Sequence, residues 1–165
     1  MEREEAIACV AELIYRCRWG ALATLCDDGS PLASQVAVAV DRKGPGPGLI
    51  MHLSQLAQHT RNLIARPSAS LVLGEPDTKP NADPQTLARI TVSGTVALLG
   101  QIQAEEYDRV RKAYLEGLPA AEPRFEFADF GLYVLKPASG QYVGGFARAC
   151  SLDQAGMEAA LQRVP

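Results

Sequence analysis

Alternation of apolar and polar residues is the feature that most constrains how this chain can fold. It is clearest in LARITVSGTVALL, residues 87–99, where the apolar residues Ile90, Val92, Val96 and Leu98 fall on one face and threonine or serine on the other. Successive side chains of a β-strand point to opposite faces, so this period predicts a strand with one buried face. Residues 19–26, 32–41, 49–53 and 69–74 are also strand-like. The chain is therefore expected to fold around a β-sheet.

Turn and helix signals divide these strands. Asp27-Asp28-Gly29-Ser30-Pro31 predicts a hairpin turn, and KGPGPG at 43–48 predicts a second turn. Helical spacing predicts helices over 2–16, 55–65 and 104–116, and a short one within 152–164. Residues 130–136 and 141–148 are predicted to form a final hairpin across Pro137-Ala138-Ser139-Gly140. Because open strand edges invite aggregation, we expect an α+β fold in which six or seven antiparallel strands close into a small barrel flanked by helices.

Length and composition favour one domain over residues 1–165. The chain has 165 residues and is 47% hydrophobic, enough for a sizeable core without disulfides. We expect an N-terminal helix at 2–16, a barrel at about 19–148 and a short C-terminal tail. The formal charge of −3 argues against nucleic acid as a partner. No apolar run approaches the roughly 20 residues of a membrane span, so no membrane partner is expected.

The four cysteines, Cys9, Cys17, Cys26 and Cys150, form no CxxC pair. A zinc site is therefore not expected, and no other metal site is predicted. All four lie in apolar segments, which is typical of small core side chains in a reducing compartment. The acidic N-terminal segment lacks the basic region of a signal peptide. These features predict a cytoplasmic location.

Polar donors concentrate in HLSQLAQHTRNLIARP, residues 52–67. Ser54 is a candidate N-cap, and Gln58, His59, Thr60 and Arg61 fall in the first two turns of the predicted helix. The first N–H groups of a helix lack internal partners and carry partial positive charge, so this segment suits a phosphate. The alternative is a solvated amphipathic helix whose Leu56, Thr60, Leu63 and Ile64 face the sheet.

The order of these elements resembles the FMN-binding split barrel of the pyridoxamine 5′-phosphate oxidase family. The resemblance covers about residues 4–152 and rests on WGALATL, PLASQVAVAVD, HLSQLAQHTRNLIARPSASLVL and LARITVSGTVALL. The closing YVGGFARA is similar to the branch related to haem-utilisation proteins. The resemblance implies a homodimer with two FMN sites at the subunit interface.

Family positions can be carried onto this chain residue by residue. The resemblance implies that the second strand runs its backbone along the flavin ring, at Ser34, Gln35, Val36, Ala37, Val38 and Ala39. It also implies cofactor contacts at His52, Leu53 and the nearby Ser54, and a polar flavin contact at Arg89. Gln58 and His59 occupy the positions of two basic phosphate ligands, with His59 in place of a lysine. Ser34 stands where the family often has an arginine.

The resemblance implies an FMN-dependent oxidoreductase acting on an unidentified small molecule. The terminal segment Gly144–Arg148 departs from the vitamin B6 oxidases, since it lacks their Arg-x-His substrate motif. No residue is predicted to act as a general acid or base. The alternatives are a haem-binding or haem-utilisation protein and a flavin-binding module without catalysis. Haem would need an axial ligand, and His52 and His59 are the two histidines of the sequence.

Overall fold

The computed structural model describes residues 1–44, 46–99, 104–145 and 148–163. Its helices are α1 (Arg3–Arg16), α2 (Gln58–Ala65), α3 (Ala104–Gly117) and α4 (Gln154–Gln162), with 3₁₀ turns at Pro84–Thr86 and Pro119–Glu126. Its strands are β1 (Trp19–Leu25), β2 (Pro31–Ala37), β3 (Ala39–Asp41), β4 (Gly48–Ser54), β5 (Ser68–Gly74), β6 (Ala88–Leu98), β7 (Phe130–Gly144) and β8 (Ala149–Asp153).

The strands form one curled antiparallel sheet. Its path runs β2-β1-β5-β6-β7-β4-β3, and β8 pairs with β7 outside that path. The two ends of the path come together, because β2 approaches β4 without joining its hydrogen-bond ladder. The predicted α+β fold, a split antiparallel barrel with flanking helices, is confirmed.

The prediction of one strand over 32–41 is wrong, because this segment forms two strands that pair with different neighbours in the sheet. β2 pairs with β1 from Pro31 to Ala37, whereas β3 pairs with β4 from Ala39 to Asp41. Val38 lies at the break, where its N–H donates to the carbonyl of Arg18 instead of to a ladder partner. The change of partner turns the chain from one edge of the split to the other, and the alternation of side chains does not reveal it.

The predicted final hairpin is also wrong. Residues 130–144 form one long strand that pairs with β6 on both sides of Pro137. The register shifts between Ser93 and Gly94, opposite Pro137, and such a bulge accommodates a proline that cannot donate to the ladder. The chain turns after Gly144 instead, where Gly145 has φ +95°, and returns as β8. The predicted strand end at 146–147 lies outside the described residues.

Two clusters of buried side chains hold the elements together. The main core combines inward residues of the barrel with the apolar sides of α1 and α4, including Val10, Leu71 and Met157. The second core lies on the outer side of β4 and β7, under α3 and the 3₁₀ turn at 119–126. Outward residues of β4 therefore meet a second layer and not solvent.

Three further observations bear on the sequence predictions. No helix within the described residues is both long and apolar enough to cross a membrane. In the same part of the chain, no three His, Cys, Asp or Glu side chains come together as a metal site would require. The four cysteines are free thiols, each half-buried. A cytoplasmic location stays a prediction.

Candidate functional site

The split in the barrel exposes backbone along β2. Within the described sheet β2 has a hydrogen-bonded neighbour on one side only, so the groups on its other edge, from Ser34 to Ala37, are free of ladder bonds. Ser34 is half-buried and Gln35 is exposed, whereas Val36 is buried. Val38 and Ala39 are buried at the change of strand. This edge can accept a flat ligand that hydrogen-bonds to backbone, as the resemblance implies.

Helix α2 begins beside this edge without a capping side chain. It starts at Gln58 and not at Gln55, because Ser54 is the last residue of β4 and its hydroxyl is used elsewhere, donating to Asp129 at 2.5 Å and accepting from the N–H of Leu56. The N-cap is Ala57, which has no side-chain acceptor, and its carbonyl accepts the N–H groups of Thr60 and Arg61. The N–H groups of Gln58 and His59, the first two of α2, are therefore available to an anion.

A hydrogen-bonded chain of side chains fixes α2 against β1. Gln58 donates to Asn62 at 2.8 Å, and the buried Asn62 donates to Thr24 of β1 at 3.0 Å. Of the four residues predicted to face the sheet, Thr60 and Leu63 are buried, whereas Leu56 and Ile64 are exposed. The start of α2 is thus held in place next to β1 and β2.

Arg61 folds back over the first turn of its own helix. Its guanidinium donates to the carbonyl of Leu56 at 2.5 Å and to the side-chain oxygen of Gln58 at 2.6 Å. The side chain is exposed. A full positive charge therefore stands beside the free N–H groups, and this arrangement suits the phosphate of a cofactor.

His59 and Thr60 lie deeper than the other predicted residues of α2. His59 is half-buried, and this burial lowers the pKa of its imidazole below the usual value. Thr60 is fully buried, and its hydroxyl has no hydrogen-bond partner. In this conformation His59 can reach the surface of the site, whereas Thr60 lies beneath it.

His52 is enclosed in the second core. It is 8% exposed, its ring stacks on Phe125 at 4.0 Å between centroids, and Tyr114 meets it edge-on at 5.9 Å. Burial, aided by the charge of Arg124, lowers the pKa of His52 to about 4, so the ring is neutral. Its Nδ1 is buried without a partner. The neighbouring Leu53 belongs to the main core.

The contacts of Phe125 and Tyr114 with His52 were not predicted from the sequence. Both residues follow His52 by many residues, in a helix and a 3₁₀ turn whose docking on β4 no local pattern reveals. This cover closes over His52, and Leu53 is buried in the main core on the other face of β4, so neither presents an open side chain to a ligand. In this arrangement both can contact a cofactor only through backbone.

Arg89 lies apart from the other predicted residues of the same chain. It pairs with Val143, near the end of β7, whereas Ser54 pairs with Phe130 at its beginning. These positions are roughly 40 Å apart along the strand. Arg89 is exposed and donates to the carbonyls of Gln85 and Leu87. Its direct neighbours across the sheet, Gly74 and Val143, belong to β5 and β7 and not to β2 or α2.

The split offers groups that suit a flavin phosphate, and it also offers one accessible histidine. The free edge of β2, the uncapped start of α2 and the guanidinium of Arg61 fit a flavin and its phosphate. For haem, the enclosed ring of His52 is a poor axial ligand, which leaves the half-buried His59.

A protein-family model described as "CREG, beta-barrel" matches residues 2–155, nearly the whole chain. The chain belongs to this family. Over 122 residues it is 33% identical to the chloroplastic non-canonical heme oxygenase HOZ of Arabidopsis thaliana, and the match covers 74% of this chain and 34% of that protein.

Solved structures show that other proteins share the fold of this chain. A heme binding protein from Mycobacterium smegmatis is 28% identical, with a TM-score of 0.82 over 93% of this chain and 60% of that one. A protein of the pyridoxinephosphate oxidase family from Clostridium acetobutylicum is 12% identical, with a TM-score of 0.67 over 93% of this chain and 96% of that one, which shows the fold alone. The predicted split-barrel resemblance, including its haem-utilisation branch, is confirmed. The chain spans about a third of the Arabidopsis protein and three-fifths of the mycobacterial one.

Proposed function

We propose that this family member is an FMN-binding oxidoreductase acting on a small molecule. The observation that carries the proposal is the uncapped start of α2, with Arg61 folded over it, beside the free edge of β2. FMN, when bound, supplies transfer of a hydride or of electrons. The chain supplies binding and orientation: α2 and Arg61 hold the phosphate, and the backbone of Ser34–Ala37 aligns the ring.

The test compares FMN with riboflavin, which lacks the phosphate. Loss of one charge-assisted hydrogen bond costs about 1.5–3 kcal/mol, so FMN should bind one to two decades more tightly in a fluorescence titration. Arg61→Gln should remove most of that preference. Arg66→Gln, at the other end of α2, is the matched control, because its guanidinium donates to the carbonyls of Cys26 and Asp27. Equal affinities for FMN and riboflavin would refute the phosphate site.

Haem is the second candidate, favoured by the two relatives whose names include heme. His59 supports it, because burial lowers the pKa of its imidazole and so favours the neutral form, which is the form that ligates iron. A titration with haemin should then give a Soret band that His59→Ala abolishes. His52→Phe, which preserves the aromatic stack, is the control and should keep the band. A yellow protein absorbing near 450 nm favours FMN, whereas a Soret band favours haem.

We further propose that two copies of the chain form a homodimer through the outer face of β1, β5 and β6. Neighbouring strands place Ala21 beside Val72 and Ala23 beside Ser70, and no charged side chain interrupts these rows. Trp19 and Val72 are large apolar residues that are 58% and 39% exposed on this face. A permanent dimer would bury roughly 2,000 Å² or more here, and the partner could then bring its Arg89 to the split.

A further inference from the structure

A second concavity lies away from α2. It is a cleft of about 600 Å³ between the C-terminal end of α1, β3 with the loop after it, and the outer side of α3. Val38 and Ala39 line it, so it adjoins the predicted flavin strand, but no residue of α2 takes part. Nothing in the FMN or haem proposals uses this cleft.

The lining of the cleft is strongly cationic. Five basic side chains and two carboxylates line it, although the chain as a whole has a formal charge of −3. The basic residues come from all three walls: Arg18, Arg42, Lys43, Arg109 and Lys112. A concave surface of one sign concentrates ions of the opposite sign, so the cleft attracts anions.

Two of these cations are held rigidly by the fold. Arg109 makes a bidentate ion pair with the buried Asp41, at 2.6 and 2.9 Å. Arg42 donates to the carbonyls of Leu161 and Arg163 at the end of α4. The walls of the cleft are therefore fixed by contacts between elements distant in sequence.

The other three cations are free to meet a ligand. Arg18, Lys43 and Lys112 are exposed, and they make no ion pair within the part of the chain that the structure describes. They come from different walls, namely the segment between α1 and β1, the loop after β3 and helix α3. An anion between them would gain contacts from several sides.

The floor of the cleft is apolar, formed by Ile14, Val38, Ala39, Val40 and Ala113. Ile14, Val38 and Ala39 are already buried, whereas Val40 and Ala113 are half-buried, so an organic ligand would cover apolar surface that an inorganic ion would leave exposed. The geometry points to a binding site for a small organic anion, with an apolar body on the floor and a carboxylate, phosphate or sulfonate held by the three free cations. This proposal does not depend on which cofactor occupies the split.

The test uses 1-anilinonaphthalene-8-sulfonate, which has an aromatic body and one anionic group, beside the uncharged N-phenyl-1-naphthylamine. The full-length protein is titrated without added cofactor. The double variant Arg18→Gln/Lys112→Gln removes one free cation from each of two walls. Its matched control, Arg16→Gln/Arg111→Gln, removes two nearby cations, at the end of α1 and in α3, that lie outside the cleft, and it leaves the same net charge.

We expect the sulfonate probe to bind more tightly than the neutral one, and the cleft variant to lose about tenfold in affinity for it, or about 1.4 kcal/mol. The control should stay within about twofold of the unmodified protein, since its charges do not face the probe. Equal affinities in the two double variants, or equal binding of both probes, would overturn the proposal. Because no cofactor is used, failure of FMN or haem to bind leaves this result unaffected.

Discussion

The pair formed by Asp41 and Arg109 yields the sharpest prediction about stability. The side chain of Asp41 is 2% exposed and that of Arg109 is 30% exposed. Besides the two bonds from Arg109, the carboxylate accepts the backbone N–H groups of Lys43 and Gly44, each at 3.2 Å. The two partners should therefore respond differently to substitution, because one of them can be rehydrated and the other cannot.

Arg109→Met should lower the free energy of unfolding by about 4 kcal/mol, because it leaves a buried carboxylate without its cation. Asp41→Asn should cost less, about 2 kcal/mol. The amide oxygen still accepts the two loop N–H groups, and the guanidinium of Arg109 can turn to water, so mainly charge-assisted bonding is lost. The double variant should cost far less than the two single variants added together, since neither charge is left unpaired.

Urea unfolding followed by circular dichroism measures all three values, and for a chain of this size Arg109→Met should lower the Tm by about 10 °C. Two results would contradict the reasoning. One is a larger loss for Asp41→Asn than for Arg109→Met. The other is additivity of the two substitutions, which would show that the pair contributes no coupling.

Three further outcomes are expected. Gly94→Ala should yield no folded protein in expression trials, because a Cβ there would lie 2.9 Å from the carbonyl carbon of Lys136. Gly140→Ala is the control and should fold, because its added Cβ would contact chiefly the flexible side chain of Met157. Affinity for FMN should fall as pH rises from about 6 to 8, because burial lowers the pKa of His59 and a bound phosphate raises it again. His59→Lys should flatten this pH profile. Parallel profiles for the two proteins would exclude His59 as a phosphate ligand. The protein should sediment as a dimer at micromolar concentration, and Val72→Glu should make it monomeric while the exposed Ile64→Glu does not.

Local patterns were sufficient for most of the elements. Helix α1 and strands β1, β5 and β6 lie within about one residue of their predicted bounds, because each has its own apolar period and its own turn signals. The order of these elements was also enough to indicate the split barrel. What the sequence by itself determined, then, is which segments are strands and the kind of sheet that they form.

Tertiary pairing decided the remainder of the strand map. The alternation of side chains continues through Val38, but the strand breaks there, because the residues before it pair with β1 and those after it pair with β4. Pro137 and Gly140 resemble a turn locally, but eleven residues of β6 keep them in β7. In both cases hydrogen bonds to a distant strand outweigh the local preference.

The same distinction runs through the candidate site. A cluster of donors near the start of α2 was visible in the sequence, because it lies within one helical turn. The enclosure of His52 by Phe125, and the pairing of Asp41 with Arg109 beside a cationic cleft, were not visible. Each of these joins residues far apart in the chain, and such contacts follow from the packing of the second layer on the barrel and not from any periodicity.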